Sequence, residues 1–247
     1  MMLNNLTQDK LRAIGLHGML RALELQLNQP NIQKLSFDER IGLLADAELS
    51  DRENRRISKL LKSAKLRHIN ANIEGIDYQP SRKLNQALIL SLANCDWIDR
   101  HQSLIFTGLT GTGKTWLACA FGNQACRRNY STYYTTATKL FEDIAKSQAE
   151  CTLARLRRSL IKTQLLILDD FGIGNVDQAL GPILLEIIDQ QSAFGSVLIT
   201  SQFPTSKWHD FFSDPTIADA ILDRIIHHSQ IFKLQGESMR KTKAKVK

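Results

Sequence analysis

No uninterrupted apolar stretch in this chain of 247 residues approaches the roughly 20 that a membrane-crossing helix requires, so no membrane-embedded function is expected. The first residues, Met1-Met2-Leu3-Asn4-Asn5, lack the basic-then-apolar layout of a secretory signal, and the expected location is the cytoplasm. Cysteine is scarce. Cys95, Cys119, Cys126 and Cys151 form no C-x-x-C pair and have no histidines at zinc spacing, which argues against a disulfide framework or a metal site. The pair His227-His228 suits a helix C-terminus better than a metal lacking further ligands. Internal repeats are absent, and low complexity is confined to the lysine-rich end. Acidic residues are in deficit: 32 Lys and Arg stand against 25 Asp and Glu, a formal net charge of +7 that makes an anionic macromolecular partner worth expecting.

What is present is most telling at Gly108-Leu109-Thr110-Gly111-Thr112-Gly113-Lys114-Thr115, which fits the phosphate-cradling pattern G-x-x-x-x-G-K-[ST] without mismatch. The glycines let a tight loop turn backbone N–H groups toward phosphate oxygens. Lys114 can then reach the β- and γ-phosphates, and the Thr115 hydroxyl can hold Mg²⁺. The motif needs a strand before it and a helix after it. Ser103-Leu104-Ile105-Phe106-Thr107 has strand length, and Leu117, Ala118, Phe121 and Ala125 recur at helical spacing between Lys114 and Arg128. Trp116, directly after the loop, is grouped with the nucleotide-binding residues. The expected ligand is a nucleoside triphosphate with Mg²⁺.

Residues 1 to about 70 read as helical, with Leu11, Ile14, Leu16, Leu20, Leu23 and Leu27 as a stripe and Ser36-Phe37-Asp38-Glu39 as a helix start. Pro80 breaks that pattern. Beyond it, strand-like runs at 103–107, 131–135, 165–169, 196–200 and 230–234 alternate with helical ones such as 137–147, 177–193 and 217–227. Such alternation predicts an α/β fold with a parallel five-stranded sheet flanked by helices, preceded by a small all-helical N-terminal domain. The expected division is 1–70, 71–236 for the nucleotide-binding domain, and a basic tail over 237–247.

Leu165-Leu166-Ile167-Leu168-Asp169-Asp170 is a buried-strand pattern ending in two carboxylates. Asp169 is placed to hold Mg²⁺, and Asp170 to orient the water that attacks the γ-phosphate; helix capping is the plainer use of such a pair. Ser201 and Gln202 follow a third strand, where polar side chains either reach the γ-phosphate or simply end the strand. Arg224, on a predicted helix, is either a transition-state guanidinium or the surface partner of Asp219 or Asp223. Arg52, Arg56, Lys59 and Lys62 form a basic helical stripe with Arg55 beside it, a solvated face or a contact to a phosphate backbone.

With these residues the chain resembles the IstB helper ATPases of bacterial insertion sequences, close to the DnaC-type helicase loaders within the AAA+ ATPases. The likeness rests on Glu53-Asn54-Arg55-Arg56, the loop Gly108 to Thr115, Leu165 to Gly172, Thr200-Ser201-Gln202, Leu222-Asp223-Arg224-Ile225 and Gly236-Glu237-Ser238-Met239-Arg240-Lys241. It implies an AAA+ P-loop core, ATP hydrolysis, self-assembly on double-stranded DNA as a homo-oligomer, and recruitment or stimulation of an IstA-like transposase. It also implies that Arg224 is an arginine finger acting on a neighbouring subunit's ATP and that Arg240 is a cis-acting second sensor. Asp170 stands where many AAA+ proteins have Glu, and Gln202 where helicase loaders often have Asn; the shorter Asp170 implies slow hydrolysis. A DnaC-like helicase loader is the alternative, and a metabolic kinase a third reading that no substrate pocket or lid in the sequence supports.

Overall fold

In the computed structural model, which describes residues 2–239, the apolar runs become strands β1 (Ser103–Thr107), β2 (Thr132–Thr136), β3 (Leu165–Phe171), β4 (Ser196–Ser201) and β5 (Ser229–Lys233). All neighbouring pairs are parallel, in the order β2-β3-β4-β1-β5. The inner strands β1 and β4 bury every residue, as strands covered on both faces must. Alternate residues supply two separate cores. Leu104, Phe106, Leu165, Ile167 and Leu198 face one, and Ile105, Leu166, Leu168, Val197 and Ile199 face the other.

The helices are α1 (Met2–Ala13), α2 (His17–Leu27), α3 (Phe37–Ala64), α4 (Gln86–Leu92), α5 (Asp96–Asp99), α6 (Lys114–Arg127), α7 (Ala137–Ala149), α8 (Leu153–Ile161), α9 (Leu180–Phe194) and α10 (Pro215–His227). Helix α6 packs Leu117 and Phe121 into the first core, while α7, α8, α9 and α10 bring Leu140, Leu160, Leu184, Ile188 and Ile221 to the second. Pro80 opens a 3-10 turn, Pro80–Arg82, rather than a helix. No helix among the described residues is long and apolar enough to cross a membrane.

The chain divides into two compact units, Met1–Lys59 and Leu60–Lys247, the division falling within α3. In the first, the leucine stripe expected as one helical face is split between α1 and α2. Gly15 adopts φ +77°, a left-handed conformation that a glycine takes at little cost, and Leu16 N–H returns to the Leu11 carbonyl at 2.9 Å to stop α1. Helix α3 opens with a reciprocal cap: Ser36 N–H donates to Glu39 Oε2 at 2.7 Å, and Glu39 N–H to Ser36 Oγ at 3.3 Å.

The buried Glu48 carboxylate of α3 accepts from the N–H groups of Gly18 and Met19, at 2.8 and 3.2 Å, and so caps α2 from a different helix. A Cβ at Gly18 would collide with the Ala47 carbonyl and with Asp51, so only glycine lets the two helices come this close. Arg52 and Arg55 pair with Glu48 at 2.7 and 3.5 Å, Arg55 also meets Asp51 at 2.7 Å, and Arg21 pairs with Asp51. The Arg52 guanidinium holds the Glu48 carboxyl below the usual carboxylate range, and Arg21 does the same for Asp51.

Candidate functional site

The phosphate-loop sequence lies between β1 and α6, where the carboxyl ends of parallel strands open onto a cavity of about 560 Å³. Gly111 and Gly113 have φ of +86° and +90°, and Gly113 is the N-cap of α6. A Cβ at Gly111 would strike Ser238, so this glycine both allows the turn and admits the C-terminal segment, where Met239 N–H donates to the Gly111 carbonyl at 2.9 Å. The loop presents the free N–H groups of a helix start to the cavity, a geometry suited to anions. Thr112 is buried, its hydroxyl donating to the Leu109 carbonyl at 2.9 Å.

Lys114 is buried at the base of the loop, its Nζ donating to the carbonyls of Gly108 and Leu109 at 2.7 and 3.0 Å. Burial lowers its pKa, opposed by the nearby charges of Asp170 and Asp169. At the far rim Thr110 Oγ1 donates to Gln202 Oε1 at 2.6 Å, and both residues line the cavity with Asp170. Ser201, by contrast, points into the sheet, with Oγ donating to the Phe171 carbonyl at 2.6 Å.

The two aspartates are adjacent in sequence yet live in different surroundings. Asp169 is fully buried; Oδ1 accepts from Thr115 at 3.0 Å and from the Thr200 hydroxyl, and Oδ2 from the Tyr134 hydroxyl at 2.6 Å. The β3–β4 register then shifts between Leu168 and Phe171, and Asp170 takes φ +56° with its N–H on Thr200 Oγ1 at 3.0 Å. This irregularity turns the Asp170 side chain to the cavity, a re-aiming that bulges beside functional sites commonly achieve. The Tyr134 hydroxyl is pushed up by burial and by the Asp169 charge, so it stays a neutral donor.

The opposite wall was not anticipated from the sequence. Arg67, His68, Gly75, Asp77 and Arg82, all preceding β1, line the cavity with Trp116 and Met239. Arg82 is almost wholly buried and donates to the Thr112 carbonyl at 3.0 Å and to the Asp77 carbonyl, bracing the loop from outside. Burial lowers its pKa, opposed by Asp77. The signal available was slight: Arg67 ends the stretch read as helical, and Gly75, Asp77 and Arg82 fall in a segment without helical or strand periodicity.

Arg224 does not line this cavity. It lies on α10, pairs with Asp189 of α9 rather than with Asp219 or Asp223, and donates from Nη1 to the Ala220 carbonyl at 2.9 Å. Those two aspartates meet His209 and His227, at 3.5 and 3.1 Å. Arg240 lies outside the described residues. Of the basic stripe, Arg52 and Arg55 are engaged by carboxylates, whereas Arg56, Lys59 and Lys62 are exposed and form no ion pair among the described residues.

A parallel sheet in this order, with the phosphate loop after β1 and paired carboxylates ending β3 on the far side of β4, is the AAA+ P-loop fold, and the chain is an ATPase. Residues 9–247 match the family model of the IstB-like ATP binding proteins, and the chain belongs to that family. An insertion-sequence ATP-binding protein of Sinorhizobium fredii, y4pL, is 42% identical over 97% of this chain and 98% of its own length. The ATP-binding protein of insertion sequence IS1162 from Pseudomonas fluorescens is 42% identical over 83% of this chain and 89% of its own. Among solved structures, the DnaC helicase loader superposes with a TM-score of 0.58 at 16% identity, over 68% of this chain and 99% of that one. AMPPCP-bound DnaA from Aquifex aeolicus gives 0.59 at 19% identity, over 72% and 55%. These two likenesses concern the fold.

Proposed function

We propose that this ATPase self-assembles on duplex target DNA and there recruits and stimulates an IstA-like transposase, with ATP joining one protomer to the next. The observation that carries the reading is the separation of Arg224 from its own chain's cavity. Lys114, Asp170 and Gln202 converge on that cavity, while Arg224 is held on α10 by Asp189. Phosphoryl transfer gains most from a guanidinium at the developing charge, and such a group is often delivered by a neighbouring molecule. An assembly would therefore complete each site. Family membership supports the insertion-sequence setting, since relatives matched over 97% and 83% of this chain carry that description.

The roles follow from the chemistry of the groups. Gly108 to Thr115, with Trp116 beside it, bind the nucleotide; Lys114 offers its ammonium to the phosphates. Thr115 Oγ1 and Asp169 Oδ1, 3.0 Å apart, are hard oxygen donors of the kind Mg²⁺ prefers, so these two residues would hold it. When bound, Mg²⁺ neutralises charge on the β- and γ-phosphates. Asp170 orients and polarises the attacking water, and Gln202, fixed by Thr110, contacts the γ-phosphate end. Arg240, which lies outside the described residues, is assigned the role of second sensor. The helical residues 1–70 carry the DNA and partner contacts, with Arg56, Lys59 and Lys62 the cations of the stripe least occupied by the protein itself.

The test is binding to labelled duplex DNA across ATP and salt concentrations. Affinity is expected to require ATP and to fall steeply as salt rises, because phosphate contacts release counterions. Indifference to both would sink the proposal, and a preference for single strands would favour a DnaC-like loader.

A further inference from the structure

Asp169 is a fully buried carboxylate that depends on hydroxyl donors, and one of them comes from a strand that carries no nucleotide motif. In the β2–β3 register Tyr134 pairs with Ile167, so its side chain rises on the same sheet face as Asp169, two residues further along β3. Its ring is packed in the first core and only 8% of the residue is exposed. Its hydroxyl sits 2.6 Å from Asp169 Oδ2. Thr115 and Thr200 both donate to the other oxygen, Oδ1. The carboxylate is thus held at both ends, with Oδ2 tied to a rigid aromatic and Oδ1 left on the side of Thr115.

We infer that Tyr134 is a positioning residue for metal–nucleotide binding: its phenol fixes the rotation of Asp169 so that Oδ1, beside Thr115, faces Mg²⁺. The inference rests on the reading of Asp169 as a metal-holding residue. Partners of this outer kind orient ligand groups, and their loss typically costs about ten- to a hundredfold in metal affinity. Phenylalanine at 134 would keep the ring in its core and remove the donor alone.

The experiment is equilibrium binding of a fluorescent ATP analogue to the full chain, in EDTA and then in a Mg²⁺ titration, for wild type, Tyr134→Phe and Asp169→Asn. Tyr134→Phe is expected to bind the analogue normally in EDTA and to raise the Mg²⁺ concentration for half-maximal tightening about tenfold or more. An unchanged or lower Mg²⁺ midpoint would overturn the inference. So would equal weakening with and without Mg²⁺, accompanied by a lower melting temperature, since that marks a structural hydroxyl. Asp169→Asn separates the two layers: if it leaves the Mg²⁺ midpoint unmoved, the metal-holding reading of Asp169 fails first and the role of Tyr134 falls with it.

Discussion

Among the described side chains of Met1–Lys59, the buried ones are Leu20, Leu44, Gln26 and Glu48, while Ile14, Leu25, Phe37, Leu43 and Leu49 are exposed. In Leu60–Lys247 two apolar cores clasp the sheet, and residues as large as Trp208, Phe106 and Phe121 are wholly buried. The helical unit relies on a carboxylate at the start of α2 and a lattice of arginines, and the sheet unit on packing. Hydrophobic burial is indifferent to protons and strengthened by many salts, whereas a charged cap depends on pH and ionic strength. The two units should therefore fail under different conditions, and chemistry placed in one should be separable from stability in the other.

The largest effect expected is on hydrolysis in the sheet unit. Arg224→Ala should lower kcat roughly a thousandfold, as loss of a transition-state arginine does, yet change stability by less than about 1 kcal/mol, because Asp189 is a surface partner. Mixing this variant with Lys114→Ala should restore activity; no recovery would mean that Arg224 acts within its own chain. Lys114→Ala comes next, with nucleotide affinity reduced about a hundredfold, from the ~2–3 kcal/mol carried by a hydrogen bond to a charged group. ATP-dependent assembly should vanish with it, and the melting of the helical unit should not move. Asp170→Asn should keep ATP and persist in the assembled state, since it spares the carboxylate proposed to hold Mg²⁺; failure to bind ATP would undo the separate roles given to the two aspartates.

Smaller in size, but aimed at the other unit, is Glu48→Ala. It strands the amides of Gly18 and Met19 and should destabilise the helical unit by about 2 kcal/mol. All 3 tryptophans, Trp97, Trp116 and Trp208, lie beyond residue 59, so indole fluorescence follows the sheet unit while far-ultraviolet dichroism follows both. A dichroism transition that precedes the fluorescence transition is the expected result, and coincident transitions would erase the distinction between the units. Acid should act in the same direction. The folded pKa values of Glu48 and Asp51 are depressed, so their stabilisation is present above the ordinary carboxylate range and is lost as pH falls through it to the depressed values. Dichroism should therefore drop before fluorescence during acid titration.

Much of the fold could be read from local pattern. β1 and β3 begin where their apolar runs begin, and α6 follows the loop, because a buried parallel strand leaves a nearly continuous hydrophobic signature. Gly15 was harder: a leucine stripe carries through it on paper, and the left-handed turn appears only when Leu16 N–H finds Leu11. The cavity shows the same limit. Lys114, Thr115 and Asp170 announce themselves by motif, but Arg67 and Arg82 reach it from loops, and Tyr134 reaches Asp169 from a strand, whose sequences carry no such sign. The pairing of Arg224 with Asp189 spans two helices, and linear proximity had favoured Asp219 and Asp223.

The irregularity at Asp170 has a consequence for how such a site can be adjusted. In a regular strand, neighbouring side chains leave on opposite faces, and changing one crowds a different layer of the protein. Here the register shift gives Asp169 to the sealed interior and Asp170 to the open cavity. On the roles proposed above, retention of the nucleotide and the timing of its cleavage fall to consecutive codons that can vary independently. Lengthening Asp170 by one methylene is then expected to hasten the timer without loosening the clamp, and so to reset the lifetime of the proposed assembly on DNA by a single substitution.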